Sequence, residues 1–483
     1  MGMRIATRIA AIVCALLLAA CGSFPQNPPL AKYDPSAGYR FDQLEQGSNS
    51  DELFVILVFS GGGTRAAALS YGVLEALRDA KIQWQNRKAS LLDEVDVISS
   101  ISGGSFPAAY YALHGSRIFD EFPDRFLYRP VQSDLLGLAF TPASLLKLAG
   151  SSFGRSDLAA EFYDREVFGA GTYADLIAHR RRPFVILNAT DMTTGAQFPF
   201  IQDQFDLLCS DLAGVSLGRA AAASSAFPGG LTPLTFRNYA GTCGYRQPQW
   251  VDLAMKDHKS RLNARRTARA ERRLSYTDTG QAPRNFIHLT DGGVADNIGL
   301  REPLTAIASV NNSWSVLRLI NLRKVNKLVV IVVNAATNPA ASRDQTADVP
   351  GLIDTVTAAA TVPLDNYTFD TLEILRATVN EFNEEARLIS GCRALAAGKG
   401  AQCVPDIPAP HQVELFPVEV AFEYIEEAKE RNWFKNLPTT LELPRATVDK
   451  LRAIGRRILS EDPQFKKLME ALHGCLATGG QSC

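Results

Sequence analysis

Three short segments of the chain combine small residues with groups that can carry out acyl-transfer chemistry. The first, residues 60–65, reads Ser-Gly-Gly-Gly-Thr-Arg. Successive glycines allow several backbone N–H groups to converge on one point, and the N-terminus of a following helix adds the positive end of its dipole. The segment is therefore predicted to hold an anion, or the negative charge that develops on a carbonyl oxygen during a reaction.

Two common phosphate-binding loops fit this segment poorly. Gly61, Gly63 and Ala66 formally match a dinucleotide fingerprint, but the next strand has no acidic residue where the ribose would need one. A P-loop would need Lys and then Ser or Thr directly after its last glycine, and they do not follow here. An oxyanion hole built on Gly61, Gly62 and Gly63 is the best interpretation.

The second segment, residues 99–105, places serines at the end of an apolar run. Ser100, Ser102 and Gly104 have the spacing of a nucleophile elbow, in which a tight strand-to-helix turn exposes a serine hydroxyl. Ser100 replaces the first glycine of that motif, and Ser100 and Ser105 are competing hydroxyls. Ser102 has the correct spacing to Gly104 and is the predicted nucleophile. A small-residue turn without chemistry is the alternative.

The third segment is Asp291-Gly292-Gly293, directly after the apolar run of residues 286–290. An aspartate at the carboxyl end of a parallel strand lies on the edge where open α/β sheets place their active sites. Asp291 is therefore the candidate base for a serine nucleophile. Asp-Gly also forms ordinary turns, and the nearby Asp296 is a second carboxylate suited to capping a helix.

The elements that would position these segments alternate between strands and helices. Short runs rich in β-branched residues predict strands at residues 53–59, 95–101, 183–189, 286–290, 328–333 and 413–421. Apolar residues at helical spacing predict a helix directly after the first run, and a second helix follows the second run. This alternation predicts an α/β fold with a mostly parallel sheet.

The order of the three segments resembles that of the patatin-like phospholipases: a strand and Gly-Gly-Gly-x-Arg, a strand and x-Ser-x-Gly, a strand and Asp-Gly-Gly. The resemblance implies a three-layer α/β/α fold and a Ser-Asp dyad, with Ser102 as nucleophile and Asp291 as base. It also implies an oxyanion element formed by residues 61–63 with Arg65. It covers about residues 53–305, so we expect a catalytic core at 51–305 and a C-terminal region at 306–483 that completes or flanks it.

The resemblance further implies a hydrolase of lipid acyl esters, with phospholipase A or lysophospholipase activity on phospholipids or other lipid esters. It implies no metal and no cofactor. A Ser-Asp-His triad is the mechanistic alternative, and only His411 and His473 follow Asp291 in the chain. The alternative from another functional class is a non-catalytic envelope lipoprotein that uses the fold as an interaction module.

The start of the chain has the layout of a bacterial lipoprotein precursor. Arg4 and Arg8 precede a short apolar run, so residues 1–20 are predicted to be a signal peptide. Leu-Ala-Ala before Cys21 resembles a lipobox, which implies acylation of Cys21, and Gly22 then favours the outer membrane, facing the periplasm. An ordinary signal peptide is the alternative. Residues 21–50 are rich in proline and are predicted to be a tether between the lipid and the domain.

The overall composition excludes some functions and leaves the cysteines to be explained. With 50 basic and 51 acidic residues the net charge is −1, which gives no electrostatic basis for nucleic-acid binding. Six of the 8 cysteines remain after Cys14 and Cys21 are assigned to the signal peptide and the lipid. In an oxidising compartment disulfides are expected, and sequence spacing favours Cys209–Cys243, Cys392–Cys403 and Cys475–Cys483 among fifteen connectivities.

Two segments look like insertions that could meet a lipid. Residues 135–148 are leucine-rich and could form an apolar cap over the cleft, with burial in the core as the alternative. Residues 261–273 are rich in arginine and could meet phospholipid head groups. A solvated basic helix is the alternative for that segment.

Overall fold

The computed structural model describes residues 24–247, 249–256, 276, 284–308, 324–337, 347, 351, 373–381, 383–384, 386–395 and 412–476. Its strands are β1 Leu53–Phe59, β2 Ala80–Trp84, β3 Arg87–Ser90, β4 Val95–Ile101, β5 Phe184–Asp191, β6 Gln197–Pro199, β7 Leu234–Arg237, β8 Phe286–Asp291, β9 Lys327–Asn334, β10 Glu414–Ala421 and β11 Cys475–Leu476. All six predicted strands are present. The five that sequence missed are short, and most of them are rich in polar residues.

The main sheet has eight strands in the order β10-β9-β1-β4-β5-β8-β7, with β6 also paired to β5. The neighbours from β10 to β5 are parallel, and β6, β7 and β8 pair antiparallel. β1, β4 and β5 are buried along their whole length, which explains why they read as continuous apolar runs. The predicted α/β fold with a mostly parallel, helix-flanked sheet is confirmed.

The helices connect and cover these strands. The described α-helices are Gly63–Asp79, Ser105–His114, Ile118–Phe122, Val131–Ala139, Pro142–Leu148, Arg155–Tyr163, Tyr173–His179, Gln202–Leu207, Leu217–Ser224, Gln249–Lys256, Arg301–Ala308, Ala428–Lys435, Arg445–Glu461 and Pro463–Ala471, with further helical residues between 373 and 395. The first two directly follow β1 and β4, as the sequence predicts. In the described part of the chain, no helix is both long enough and apolar enough to cross a bilayer.

The direction of β8 differs from the sequence prediction. We expected Asp291 to end a parallel strand, but β8 pairs antiparallel with β5, with Asp291 opposite Ala189. β8 therefore begins beyond the carboxyl end of β5 and runs back toward the end of β4. A Cβ on Gly292 would lie 3.3 Å from the side chain of Ile101, the last residue of β4. Asp291 thus reaches the predicted sheet edge from the opposite direction.

The N-terminal segment, residues 24–50, is docked on the domain, whereas its prolines had indicated a tether. Asn27 donates hydrogen bonds to Ser210 Oγ at 2.8 Å and to the Arg237 carbonyl at 3.0 Å. The buried Arg40 forms a 2.5 Å ion pair with Asp206. Scattered apolar residues of the segment, including Phe24, Tyr39, Phe41 and Leu44, are buried. They lack a regular spacing, so no periodic signal predicts this packing.

The cysteines agree with one of the predicted pairs. Cys209 and Cys243 form a disulfide, with their Cα atoms 5.4 Å apart, so this prediction is confirmed. Cys392 and Cys475 are also disulfide-bonded. Their predicted partners lie outside the described residues, as do Cys21, the signal peptide, His411 and the arginine-rich segment.

The C-terminal part of the chain contributes to the main sheet and covers its first helix. β9 pairs with β1 along seven residues, and β10 pairs with β9. The helix Arg445–Glu461 lies against the helix Gly63–Asp79, and a Cβ on Gly72 would stand only 2.3 Å from the Arg452 carbonyl oxygen. Glycine at this crossing lets the two backbones approach closely.

Candidate active site

The glycine-rich loop joins β1 to the helix Gly63–Asp79. Gly62 and Gly63 have φ angles of 135° and 60°, which residues with side chains rarely adopt. The N–H of Gly61 donates to the Asn297 carbonyl at 3.2 Å. Among the hydrogen bonds of the described residues, none uses the N–H of Gly62 or of Gly63. These two donors stand at a helix N-terminus and are available to a negatively charged oxygen.

Ser102 occupies the sharp turn after β4. Its φ of 49° places a residue with a side chain in the left-handed region, as expected of a nucleophile elbow. The turn presses against the glycine-rich loop: a Cβ on Gly103 would lie 2.1 Å from the Gly63 carbonyl oxygen. A Cβ on Gly61 would lie 3.3 Å from the Cβ of Ser102. The structure therefore brings the first two predicted segments into contact.

Asp291 faces Ser102 across this contact. The Ser102 hydroxyl donates to Asp291 Oδ2 at 2.8 Å, and the Gly293 N–H donates to Asp291 Oδ1 at 2.8 Å. Burial raises the pKa of Asp291 to about 6, and the two hydrogen bonds only partly offset this rise. The described partners of the carboxylate are thus a hydroxyl and a backbone N–H, and they include no histidine.

The three serines near Ser102 form their hydrogen bonds with groups other than Asp291. Ser99 donates to the Gly299 carbonyl at 2.6 Å, and Ser100 donates to the Ile186 carbonyl at 3.3 Å. Ser105 shares a 2.9 Å hydrogen bond with Ser224. These three hydroxyls are buried and connect structural elements, so Ser102 is the one of the four that contacts Asp291.

A supporting segment, residues 223–228, holds both reacting residues by their backbones. Ser224 Oγ accepts the N–H of Ser102 at 2.9 Å and itself donates to the Asn188 carbonyl at 2.7 Å. The Ala226 carbonyl accepts the N–H of Asp291 at 3.0 Å. The local sequence of this segment contains no signal for these contacts.

The side chain of Arg65 connects the glycine-rich loop to the C-terminal part of the chain. Its buried guanidinium donates to the carbonyls of Ala335 at 3.0 Å and Leu437 at 2.7 Å, and to Thr439 Oγ1 at 3.2 Å. The Arg65 Nη2 would be 2.9 Å from a Cβ on Gly62. The described hydrogen bonds of this side chain therefore join the loop to the C-terminal part of the chain.

Two further residues lie near the dyad: Asn297, which sequence reasoning did not identify, and Asp296, which it identified as a candidate helix cap. Oδ1 of Asn297 would be 3.2 Å from a Cβ on either Gly61 or Gly293, so this amide lies between the first and third segments. Asp296 accepts the N–H groups of Ile298 and Arg301, at 3.2 Å and 2.8 Å, and so caps the start of a helix. The capping alternative raised for Asp296 from sequence is thus the observed one.

A family model described as Patatin-like phospholipase matches residues 57–304, which is more than half of the 483 residues. The chain belongs to the patatin-like phospholipase family. The matched range begins within β1 and ends within the helix Arg301–Ala308, so it contains all three segments of the site. No curated protein matches the chain.

Two solved structures show remote similarity to this patatin-like chain. Human GIVD cytosolic phospholipase A2 is 11% identical, with a TM-score of 0.33, over 61% of this chain and 45% of that chain. VipD from Legionella pneumophila is 10% identical, with a TM-score of 0.29, over 93% of this chain and 71% of that chain. The chain thus spans less than half the length of the human protein.

The patatin-like site combines three chemical capacities within one contact region. It has a hydroxyl on a strained turn, a buried carboxylate with a raised pKa at 2.8 Å from it, and unused N–H donors on the adjacent loop. A hydroxyl with a nearby base can attack a carbonyl carbon, and preorganised N–H groups stabilise the resulting oxyanion. Family membership supports lipid acyl hydrolysis at the level of the family.

Proposed function

We propose that this chain is a serine hydrolase of lipid acyl esters, of phospholipase A or lysophospholipase type. The observation that carries the proposal is the 2.8 Å hydrogen bond from Ser102 to Asp291, beside a glycine-rich loop with unused N–H donors. Burying a carboxylate without a counter-charge is costly. A serine with a purely structural role could use an uncharged partner and would avoid this cost. A role for this pair in proton transfer accounts for that cost.

In the first step, Ser102 Oγ attacks the carbonyl carbon of the ester while Asp291 Oδ2 accepts the hydroxyl proton. The ordinary pKa of an aspartate is about 3.9, which makes it a weak base at neutral pH. Burial raises the pKa of Asp291 to about 6, so the carboxylate is still ionised at pH 7 but accepts a proton more readily. The tetrahedral intermediate then collapses, and the departing alcohol takes the proton from Asp291.

In the second step, water releases the acyl group from Ser102. The water oxygen attacks the acyl carbon while Asp291 accepts a proton from the water. Asp291 then returns that proton to Ser102 Oγ when the fatty acid leaves. In both steps the carbonyl oxygen carries the negative charge. The N–H groups of Gly62 and Gly63 are the donors that we assign to it, since the N–H of Gly61 already donates to Asn297. Arg65 acts as a positioning residue for this loop.

For the location of the enzyme, we propose attachment to the outer membrane through an acyl chain on Cys21, with the domain in the periplasm. The lipobox-like residues before Cys21 and the Cys209–Cys243 disulfide, which suits an oxidising compartment, support this proposal. Metabolic labelling with an alkyne fatty acid, compared between the parent chain and Cys21→Ser, tests it. Equal labelling of the two chains would contradict acylation at this site.

The catalytic proposal is tested by fluorophosphonate labelling followed by product analysis. The parent chain should form a covalent adduct, whereas Ser102→Ala should not. Ser100→Ala is the matched control, since it removes a neighbouring buried hydroxyl that donates to Ile186 rather than to Asp291. Mass spectrometry of phosphatidylethanolamine vesicles after incubation should show free fatty acid and lysolipid. Labelling that persists in Ser102→Ala would contradict the assignment of the nucleophile, and vesicles left intact by the parent chain would favour the non-catalytic alternative.

A further inference from the structure

A helical hairpin formed by Val131–Ala139 and Pro142–Leu148 exposes large apolar side chains. Phe140 at its tip is 74% exposed, and Leu136 is 56% exposed. Leu145 and Leu146 on the second helix are also exposed, whereas Leu135 and Leu138 pack on the core. The hairpin therefore has an inner face that holds it to the domain and an outer face that nothing in the described chain covers. Such a patch is typical of a site that contacts another apolar surface.

The few charges of the hairpin are paired with residues outside it. Residues 131–148 contain one acidic and one basic side chain, Asp134 and Lys147. Asp134 pairs with Arg129 at 2.7 Å, and Lys147 pairs with Glu161 at 2.8 Å. The Lys147 side chain is 44% exposed, so one charge lies beside the apolar side chains, but it keeps its counter-charge. This pairing reduces the cost of bringing the charge close to lipid.

The hairpin lies beside the glycine-rich loop. Gln132 accepts hydrogen bonds from Thr440 Oγ1 at 2.7 Å and from the Leu441 N–H at 3.2 Å. The Thr440 carbonyl in turn accepts the N–H of Thr64 at 2.8 Å, at the start of the helix that follows the loop. Thr440 therefore connects the hairpin to the carboxyl edge of the sheet, where Ser102 also lies.

The docked N-terminal segment begins at this same edge. The ring of Phe24 packs edge-to-face on Phe286, with centroids 5.9 Å apart. Phe286 is the first residue of β8, which starts beyond the carboxyl end of β5 and runs toward Ser102. Phe286 and Asp291 are the two ends of this six-residue strand, so they lie roughly 17 Å apart along it. Phe286 is itself partly exposed and adds an apolar side chain near this end.

We propose that this carboxyl edge of the sheet is a bilayer-docking face, held by the acyl chain on Cys21 at one point and by the hairpin at another. Two residues, Gly22 and Ser23, lie between Cys21 and Phe24, so the Cα atoms of Cys21 and Phe24 are at most about 11 Å apart. With residues 24–50 docked, the anchor has no long tether, so the edge that carries Phe24 stays close to the lipid. The inference rests on the proposed function and adds the partner, a phospholipid surface presented directly to Ser102.

The hairpin contribution is tested with the chain from Gly22 onward, which lacks the acyl anchor and keeps every described residue. Ser102→Ala in this chain prevents lipid hydrolysis during the measurement. Flotation with phosphatidylethanolamine vesicles containing some phosphatidylglycerol should show binding. Phe140→Ser with Leu145→Ser should lower the partition coefficient by about tenfold or more, because two apolar anchors are lost. Leu388→Ser is the matched control: Leu388 is 72% exposed but lies on a helix at the opposite sheet edge.

Two other outcomes would overturn the proposal. Unchanged flotation of the double variant would exclude the hairpin as a lipid contact. A parent dimer that becomes monomeric in the double variant, as measured by light scattering, with vesicle binding retained, would identify a second copy as the occupant. Circular dichroism melting of each variant reports whether it folds.

A second readout does not depend on removing the apolar side chains. An environment-sensitive dye on Phe140→Cys, in the acylated full chain bound to the same vesicles, should shift to shorter wavelength. The dye on Leu388→Cys should not shift, and equal spectra at the two positions would contradict the docking face. Hydrolysis of a soluble short-chain ester by the parent chain tests the proposed function separately. Its absence with vesicle binding intact would reject catalysis without rejecting the docking face.

Discussion

The hydroxyl of Ser102 donates a 2.8 Å hydrogen bond to Oδ2 of Asp291. Each partner is fixed by its backbone as well, because the N–H of Ser102 donates to Ser224 and the N–H of Asp291 donates to Ala226. The two functional groups are therefore held at hydrogen-bonding distance by contacts that neither group itself supplies. This preorganisation allows the roles of the pair to be separated from the stability of the fold.

Removing the hydroxyl of Ser102 should abolish catalysis without unfolding the protein. We expect Ser102→Ala to lower kcat for a chromogenic short-chain ester by about 10⁴-fold or more, because no other described hydroxyl donates to the carboxylate of Asp291. The melting temperature should stay the same or rise slightly, since the left-handed backbone and the Ser224 contact are independent of the hydroxyl. Ser100→Ala should keep most of its activity, and comparable losses in both variants would contradict the assignment.

The activity should depend on the ionisation of Asp291. Burial raises the pKa of Asp291 to about 6, and only its ionised form can accept the proton of Ser102. The kcat/KM of the parent chain should therefore rise with pH through about 6, and Asp291→Asn should lose most activity at every pH. A pH–rate profile on a soluble ester measures this. Loss of activity in His411→Ala as large as the loss in Asp291→Asn would contradict the dyad and support the triad.

Asp291 should also make the folded state less stable as pH rises. Its folded pKa of about 6 lies above the ordinary aspartate pKa of about 3.9, so the folded protein retains a proton that the unfolded chain has lost between those values. Ionisation of Asp291 should therefore cost up to about 3 kcal/mol of unfolding free energy above pH 6. Urea unfolding at pH 4.5 and pH 7.5 should show a smaller loss for Asp291→Asn than for the parent chain. An identical pH dependence in the two chains would exclude this effect.

Glycine at position 63 should be required by its surroundings as well as by its φ angle. A Cβ there would lie 2.2 Å from the Thr440 carbonyl oxygen, so Gly63→Ala must move the loop. We expect a loss of about 100-fold or more in kcat, comparable with the loss of one oxyanion donor. Gly169→Ala is the matched control, because Gly169 has a φ of 61° and open space around it. Similar activity losses in both variants would indicate a general effect of backbone strain.

Arg65 should act through the C-terminal part of the chain. Arg65→Ala leaves the buried carbonyl of Ala335 and the partly buried carbonyl of Leu437 without this donor, which should cost about 3 kcal/mol or more of unfolding free energy. Hydrogen exchange of residues 437–443 should increase in this variant, with Arg65→Lys intermediate. If Arg65→Ala instead lowers kcat with unchanged exchange and stability, the side chain acts on the oxyanion itself.

Much of the core and of the site could be predicted from local sequence. Strands such as β1 and β4 are buried on both sides, so continuous apolar runs identify them to within a residue. Ser102 and Asp291 stand out because small residues on either side make sharp turns that few other sequences permit. The five short strands were missed because pairing with other strands, and not their own local sequence, stabilises them as strands. β7, for example, has four residues and alternates between buried and partly exposed positions.

Local sequence specifies which groups this protein possesses: a sharp turn that carries a serine, a glycine-rich loop and an aspartate after a strand, in the order of the patatin-like family. How these groups meet depends on the tertiary structure. β8 runs antiparallel, yet its register brings Asp291 to Ser102, because strand pairing is set by residues far apart in the chain. The same applies to residues 24–50, whose irregular apolar side chains have no periodic signal and find their partners only on the folded surface.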